Sequence, residues 1–205
     1  TKFVGDDEER YEILPKPNGW EKYSFSKIHS HFNCKVHASD QAKPLHSQKQ
    51  WEYMRNKYNE VVDATVKFND IVPPTLGYTL NDTHSPPPYY AKFSPGMGRG
   101  VFATRLIKKG ELVHDGVGSA VAFPDGLAWR KFVFSLPRKM ACDIAEWSWH
   151  QKSTVKGDLR IFVDLTIAAF FNSGWDGHSN VRPKSSISLQ FYAKDDIEKD
   201  AELLY

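Results

Sequence analysis

The sequence is poor in cysteine. Its 205 residues include two, Cys34 and Cys142. Two cannot complete a zinc site of four cysteines, or of three cysteines and a histidine, and they cannot build a framework of several disulfides. A single bridge stays open to them, but two isolated thiols are the expected state. Long apolar runs are missing too. Nothing approaches the roughly 18 consecutive apolar residues of a membrane helix, and no signal-peptide pattern opens the chain. Neither sign of charge dominates: 27 Lys and Arg against 25 Asp and Glu leave a net charge of +2. That balance argues against a surface built to neutralise many phosphates, and no direct nucleic-acid binding is predicted. Internal repeats and low-complexity tracts are absent.

Aromatic residues are abundant, at 14% of the chain with 13 Phe, 9 Tyr and 6 Trp. With 40% hydrophobic and 25% charged residues, the composition excludes wholesale disorder and suits one domain with an appendage. The chain opens on Thr1 without a methionine and stops at Tyr205 inside a patterned stretch, so it reads as a piece of something longer. Asn81-Asp82-Thr83 is a formal glycosylation acceptor, a triplet common by chance.

Residues 1–87 read as an N-terminal extension. Asp6, Asp7, Glu8 and Glu9 suggest a solvated end. His29, His31, His37 and His46 fall within 18 residues. Without acidic or cysteine partners at ligand spacing they are expected to be polar loop residues, and no metal site is predicted. A helix is predicted over 47–70. Ser47 and Gln50 form a capping box, and Trp51, Met54, Tyr58, Val61, Thr65 and Phe68 recur at three and four to make one packing face. Pro73-Pro74 ends it, and Val72–Pro88 reads as an extended connector.

Beyond the connector, residues 88–205 change to short strands. Gly100–Ile107, Leu112–His114, Leu159–Leu165 and the alternating Ser186–Ala193 are strand candidates. Residues 126–152 are predicted helical in part, with Met140, Ile144 and Trp147 on one face. The fold class is mainly β with helical insertions, not a doubly wound sheet.

Three segments carry candidate chemistry. Ser94–Ala103 holds three glycines in five residues, which lets the backbone take positive φ and approach a ligand. No strand is predicted to lead into it and no helix to follow, so it does not match a dinucleotide fingerprint, and it lacks the ending of a phosphate loop. Phe170-Phe171-Asn172-Ser173-Gly174 runs into a loop closed by Asn180-Val181. An asparagine amide offers an acceptor and two donors, which suits a polar ligand or simple loop closure. Ala193–Tyr205 is a strand, a charged turn and a further strand.

In this order the three segments resemble the SET domain of protein lysine methyltransferases. The family's Gly-x-Gly strand and "T-x-x-I-x-x-G-E" turn correspond to Gly98-Arg99-Gly100 and Thr104–Glu111. Its asparagine loop, "F-x-N-H-S-C-x-P-N", corresponds to Phe170–Asn180. Its ending, "A-x-R-D-I-x-x-G-E-E-L-x-x-x-Y", corresponds to Ala193–Tyr205. The resemblance spans roughly residues 90–205. It implies a SET-type β-clip with a knot-like crossing of two loops, and S-adenosyl-L-methionine as cofactor. It also implies a protein or peptide lysine as substrate, with a histone tail as the default, and a nuclear or cytoplasmic setting.

Residue by residue, it places Met97, Gly98, Arg99 and Gly100 in the cofactor turn, mainly through backbone groups. Asn172 would meet the cofactor's amino-acid part, Ser173 its adenine, and Asn180 matches the second loop asparagine. Several positions depart from the pattern. Ser173 and Trp175 replace the loop histidine and cysteine, and the stretch between the asparagines is longer. The tyrosine that follows the "G-E" strand falls near Gly116. The family's reactive tyrosine would fall at position 207, so Tyr205 matches the aromatic position before it and is the catalytic candidate within the chain. The alternative implied by these departures is a SET-fold module that binds peptide or cofactor without turnover.

Overall fold

The computed structural model describes residues 2–4, 11–38, 44–62, 87–117, 119–152 and 157–205. The glycosylation triplet, the acidic cluster at 6–9, Thr65, Phe68, Pro73-Pro74 and nearly all of the connector lie outside them.

The part of the sequence hardest to read is regular where it is described. Strands β1 (Lys2–Val4) and β2 (Tyr11–Ile13) pair antiparallel. A short 3-10 turn at Trp20–Lys22 leads to helix α1 (Phe25–Phe32). The Ser24 hydroxyl caps its start by accepting from the Lys27 N–H, and Asn33, in the left-handed region at φ 54°, ends it. Helix α2 (Cys34–Ala38) follows at once. Helix α3 (Gln48–Val61) carries the predicted capping box: Ser47 Oγ accepts from Gln50 N, and Gln50 Oε1 from Ser47 N. Trp51, Met54 and Tyr58 of the predicted stripe are buried.

The remaining strands form small antiparallel sheets. Strands β3 (Tyr89–Ser94) and β4 (Gly98–Ala103) make a hairpin. Strand β5 (Leu112–Asp115) joins β9 (Val181–Pro183) and β10 (Gln190–Ala193) in the order β5-β10-β9. Strands β6 (Ala120–Phe123), β7 (Trp149–Lys152) and β8 (Leu159–Asp164) run β6-β8-β7. Helices α4 (Gly126–Val133) and α5 (Arg138–Trp147) fill the interval between β6 and β7. Residues 149–152 are therefore strand rather than the end of a helical stretch. A strand also leads into the glycine turn, contrary to the sequence expectation, because β3 pairs with β4 across it; no helix follows. Residues 186–187 form a turn, and strand β10 begins only at Gln190, opposite Asp115.

One apolar core runs through these elements. Ile28 and Phe32 of α1, Trp51 and Met54 of α3, Phe132 and Val133 of α4 and Ile144 of α5 belong to it with Val101, Val163 and Leu203. Each such large side chain contributes about 1.5–3 kcal/mol by leaving water. Tyr58 reaches across to donate to the Ala122 carbonyl at 2.6 Å. The two cysteines, expected apart, are joined: Cys34 and Cys142 form a disulfide with Cα atoms 5.4 Å apart. Folding α1 onto α5 brings them together, a proximity that linear spacing cannot disclose. The loop reading of the histidines is corrected as well. His29 and His31 sit on α1, where His29 packs on Phe25 and His31 lies against Phe32 and Phe134. His37 lies in α2, and His46 is bound into a buried ion pair described below.

The C-terminal segment is held on both sides. Its backbone bonds to β4 through Ala103 N to Ala201 O and Leu203 N to Val101 O. It also bonds to the asparagine loop through Tyr205 N to Asn172 O, Gly174 N to Tyr205 O and Val181 N to Leu204 O. At its start Asp200 takes φ 65°, where the family motif has glycine. A non-glycine residue in that region is strained. Asp200→Gly is expected to raise stability by about 0.5–1 kcal/mol, read as a higher midpoint in thermal unfolding. The exposed Tyr90 hydroxyl bond to Asp200 Oδ1 that it removes is worth less than that strain.

Candidate functional site

The hairpin turn of β3-β4, the asparagine loop and the chain's last residue surround one cleft of about 1080 Å³. Six of the eight predicted site residues line it: Met97, Gly98, Arg99, Asn172, Ser173 and Tyr205. Gly98 takes φ +83°, and the position a Cβ would occupy there meets nothing within 4 Å. The turn thus leaves an open cradle that only glycine adopts without strain.

Gly100 and Asn180 do not line the cleft. A Cβ on Gly100 would come within 2.3 Å of Glu202 Oε1. Its glycine is needed for close packing of that carboxylate, which is itself held by Ser94 Oγ and Asn172 Nδ2 at 2.8 Å each. Asn180 clips the C-terminal segment. Its Nδ2 donates to the Glu202 carbonyl and its Oδ1 accepts from Leu204 N, both at 2.8 Å. Asn172 Nδ2 also donates to the Arg99 carbonyl at 2.9 Å, so one N–H braces β4, the other holds Glu202, and Oδ1 remains as an acceptor.

Arg99 offers the cleft little beyond its backbone, because its guanidinium is engaged inward. It makes a bidentate pair with Asp143, at 3.0 and 2.8 Å, and lies over the rings of Trp147 and Phe170. Asp143 also meets His46 Nε2 at 2.9 Å, and His46 Nδ1 meets Gln50 Oε1 at 3.2 Å. This network ties the glycine turn to α5, and to α3 with the segment before it.

An aromatic wall also lines the cleft. Tyr205, half exposed, meets Phe191 edge-on at 6.0 Å, and Phe191 stacks near Phe171 at 6.4 Å. Trp175, which stands in for the family's loop cysteine, is 76% exposed and is not part of the wall. Sequence reasoning missed His114 and Asp164, both buried and both lining the cleft. The one available signal was polar residues in strands otherwise destined for burial. Among the described residues no cluster of three or more His, Cys, Asp or Glu could hold a metal, and no helix is long and apolar enough to cross a membrane.

A fold of small antiparallel sheets, with its C-terminal segment laced to an asparagine loop beside a glycine turn, is the architecture of a SET domain. Residues 98–205, more than half of the chain, match the SET domain family model. The chain belongs to that family, whose members are usually protein lysine methyltransferases. No curated protein matches it. Among solved structures it is similar to the "putative histone methyltransferase" of Plasmodium falciparum, at 20% identity and a TM-score of 0.37, over 58% of this chain and 92% of that one.

Proposed function

We propose that this protein is an S-adenosylmethionine-dependent protein lysine N-methyltransferase, with residues 88–205 as its SET domain and residues 1–87 as an extension packed on it. The observation that carries the reading is the single cleft that joins the Gly98 cradle and the asparagine loop to an aromatic wall ending at Tyr205. The crossing of the C-terminal segment and the asparagine loop is read as the family's knot-like feature. The residues fit the cofactor: an open glycine turn, the Asn172 Oδ1 acceptor and the exposed Ser173 offer polar contacts without a blocking side chain. When bound, S-adenosylmethionine supplies an electrophilic methyl group on a sulfonium.

The protein's own part is placement. Met97, Gly98 and Arg99 present backbone groups at one end of the cleft, braced by the Asn172 amide and by Asp143. Phe171, Phe191 and Tyr205 form the wall along which a lysine side chain would lie. Such faces attract cationic groups and shed water, which favours the neutral amine that must react. Holding the amine in line at about 3 Å from its target supplies much of the rate enhancement. A histone tail is the substrate class proposed first.

Calorimetry with S-adenosylmethionine tests the reading. Binding in the micromolar range is expected, and no binding below millimolar concentration would sink it. Gly98→Trp is expected to abolish binding, since its side chain fills the cradle, while the melting temperature stays within a few degrees. Unchanged affinity in that variant would make Gly98 a turn residue only. Cofactor binding without methyl transfer to a mixture of histone peptides would favour the non-catalytic module.

A further inference from the structure

Beneath the aromatic wall the cleft has a polar floor. His114 on β5 and Asp164 at the end of β8 face each other there, with Nε2 3.1 Å from Oδ2. Ser119 Oγ donates to the same carboxylate oxygen at 2.6 Å. Thr166 donates to the other through its backbone N–H at 3.0 Å and its hydroxyl at 2.6 Å. Burial by itself would raise the Asp164 carboxyl above its usual range; the bonds from His114, Ser119 and Thr166 outweigh it and hold the group ionised. On the other edge of the imidazole, Nδ1 lies 2.8 Å from the Tyr89 hydroxyl. Further charges nearby are Arg55 of α3, which donates to the Leu165 carbonyl at 3.0 Å and interacts with Asp164 at longer range, and Asp115, next to His114 on β5, which accepts from Gln190 Nε2 at 3.2 Å. Phe171 and Phe191 pack on the imidazole ring.

Two features make this cluster more than a structural knot. His114 and Asp164 line the cleft although each is only 5% exposed. Gly116, also on the lining, is what leaves the imidazole uncovered: a Cβ there would sit 3.3 Å from His114 Nε2 and 2.8 Å from the Leu189 carbonyl. The two ring nitrogens differ in access. With one proton, held at Nδ1 and donated to the Tyr89 oxygen, Nε2 keeps its lone pair on the edge that Gly116 leaves uncovered. With two, Nε2–H donates to Asp164 Oδ2, and that carboxylate compensates the added charge.

We propose that the His114–Asp164 pair is the proton acceptor of this cleft, taking the proton that a lysine ammonium must lose before it can be methylated. The inference rests on the methyltransferase reading above. In the step, an N–H bond of the ammonium breaks and its electron pair stays on the amine nitrogen. A cleft water takes that proton and gives one of its own to His114 Nε2, where the new N–H bond forms. No oxidant or further reactant is required.

The test is the pH profile of methyl transfer from S-adenosylmethionine to a histone-peptide mixture, in the wild type and in His114→Gln, with NMR titration of the His114 ring in the wild type. The wild-type rate is expected to rise with pH as His114 loses its proton, with a midpoint matching the ring's own titration. His114→Gln is expected to lower kcat/KM by about 100-fold or more, to abolish that limb, and to leave cofactor affinity unchanged in calorimetry. A variant that transfers methyl groups with an unaltered profile overturns the proposal and leaves the methyltransferase reading standing. Absence of cofactor binding by the wild type overturns that reading itself. Should His114→Gln fail to fold, the NMR midpoint decides: coincidence with the activity limb supports the role, and a midpoint elsewhere removes it.

Discussion

Replacing Cys34 and Cys142 together with serine is expected to lower the unfolding free energy by about 3–5 kcal/mol, and the melting temperature by about 10 °C. The two residues are 108 positions apart, so the bridge closes a very long loop of the unfolded chain. The entropy such closure removes from the unfolded ensemble grows with loop length and reaches about 4.7 kcal/mol for a loop of about 100 residues. The native geometry needs little adjustment, because α1 and α2 already pack on α5. Denaturant unfolding with and without reductant measures the effect: the wild type in reductant should match the double-serine variant. A midpoint that does not move in reductant would show that helix packing, not the bridge, holds the extension down. Disulfides persist where the milieu is oxidising, so the stability of this fold depends on its surroundings.

Asp143→Ala is expected to cost about 3–5 kcal/mol, the usual penalty for removing one partner of a buried ion pair. Asp143 is 1% exposed and Arg99 8%. The guanidinium would lose its bidentate partner while still enclosed by Trp147 and Phe170, and His46 Nε2 would lose its partner in the same step. Cofactor affinity should fall along with stability, because Arg99 stands between Gly98 and Gly100 in the turn. Changing both charged residues, Arg99→Met with Asp143→Leu, should recover a large part of the stability, since a packed apolar pair carries no desolvation cost. It should not recover the affinity if the pair's purpose is to set the turn. A double-mutant cycle read by chemical unfolding and by calorimetry separates the two effects. Full recovery of both would reduce the ion pair to a packing element.

Much of this site could be read directly from the chain. The glycines of the β3-β4 turn, Asn172 and the C-terminal "A-E-L" stretch are local signals, set by backbone conformations and main-chain bonds that act over a few residues. The Ser47 capping box and the α3 stripe were readable for the same reason. Gly100 and Asn180 were singled out as cofactor residues, but what they touch lies 102 and 22 positions away at Glu202, and they lock the C-terminal segment rather than line the cleft. The extension was opaque because its elements are short. Helices of five and eight residues bury too little to impose a periodic pattern, and they persist through packing on α4 and α5.

By itself the sequence determined the family, the mainly β class with helical insertions, and the residues that make the glycine turn, since each depends on local spacing and conformation. Only the tertiary structure decided the rest. It joined Cys34 to Cys142, placed Asp143 and His46 behind Arg99, and set His114 against Asp164, 50 residues away in the chain, beneath a glycine that leaves them open. Ion pairs, disulfides and buried hydrogen bonds form between whichever groups folding brings within a few ångströms, and that proximity is fixed by packing rather than by order along the chain.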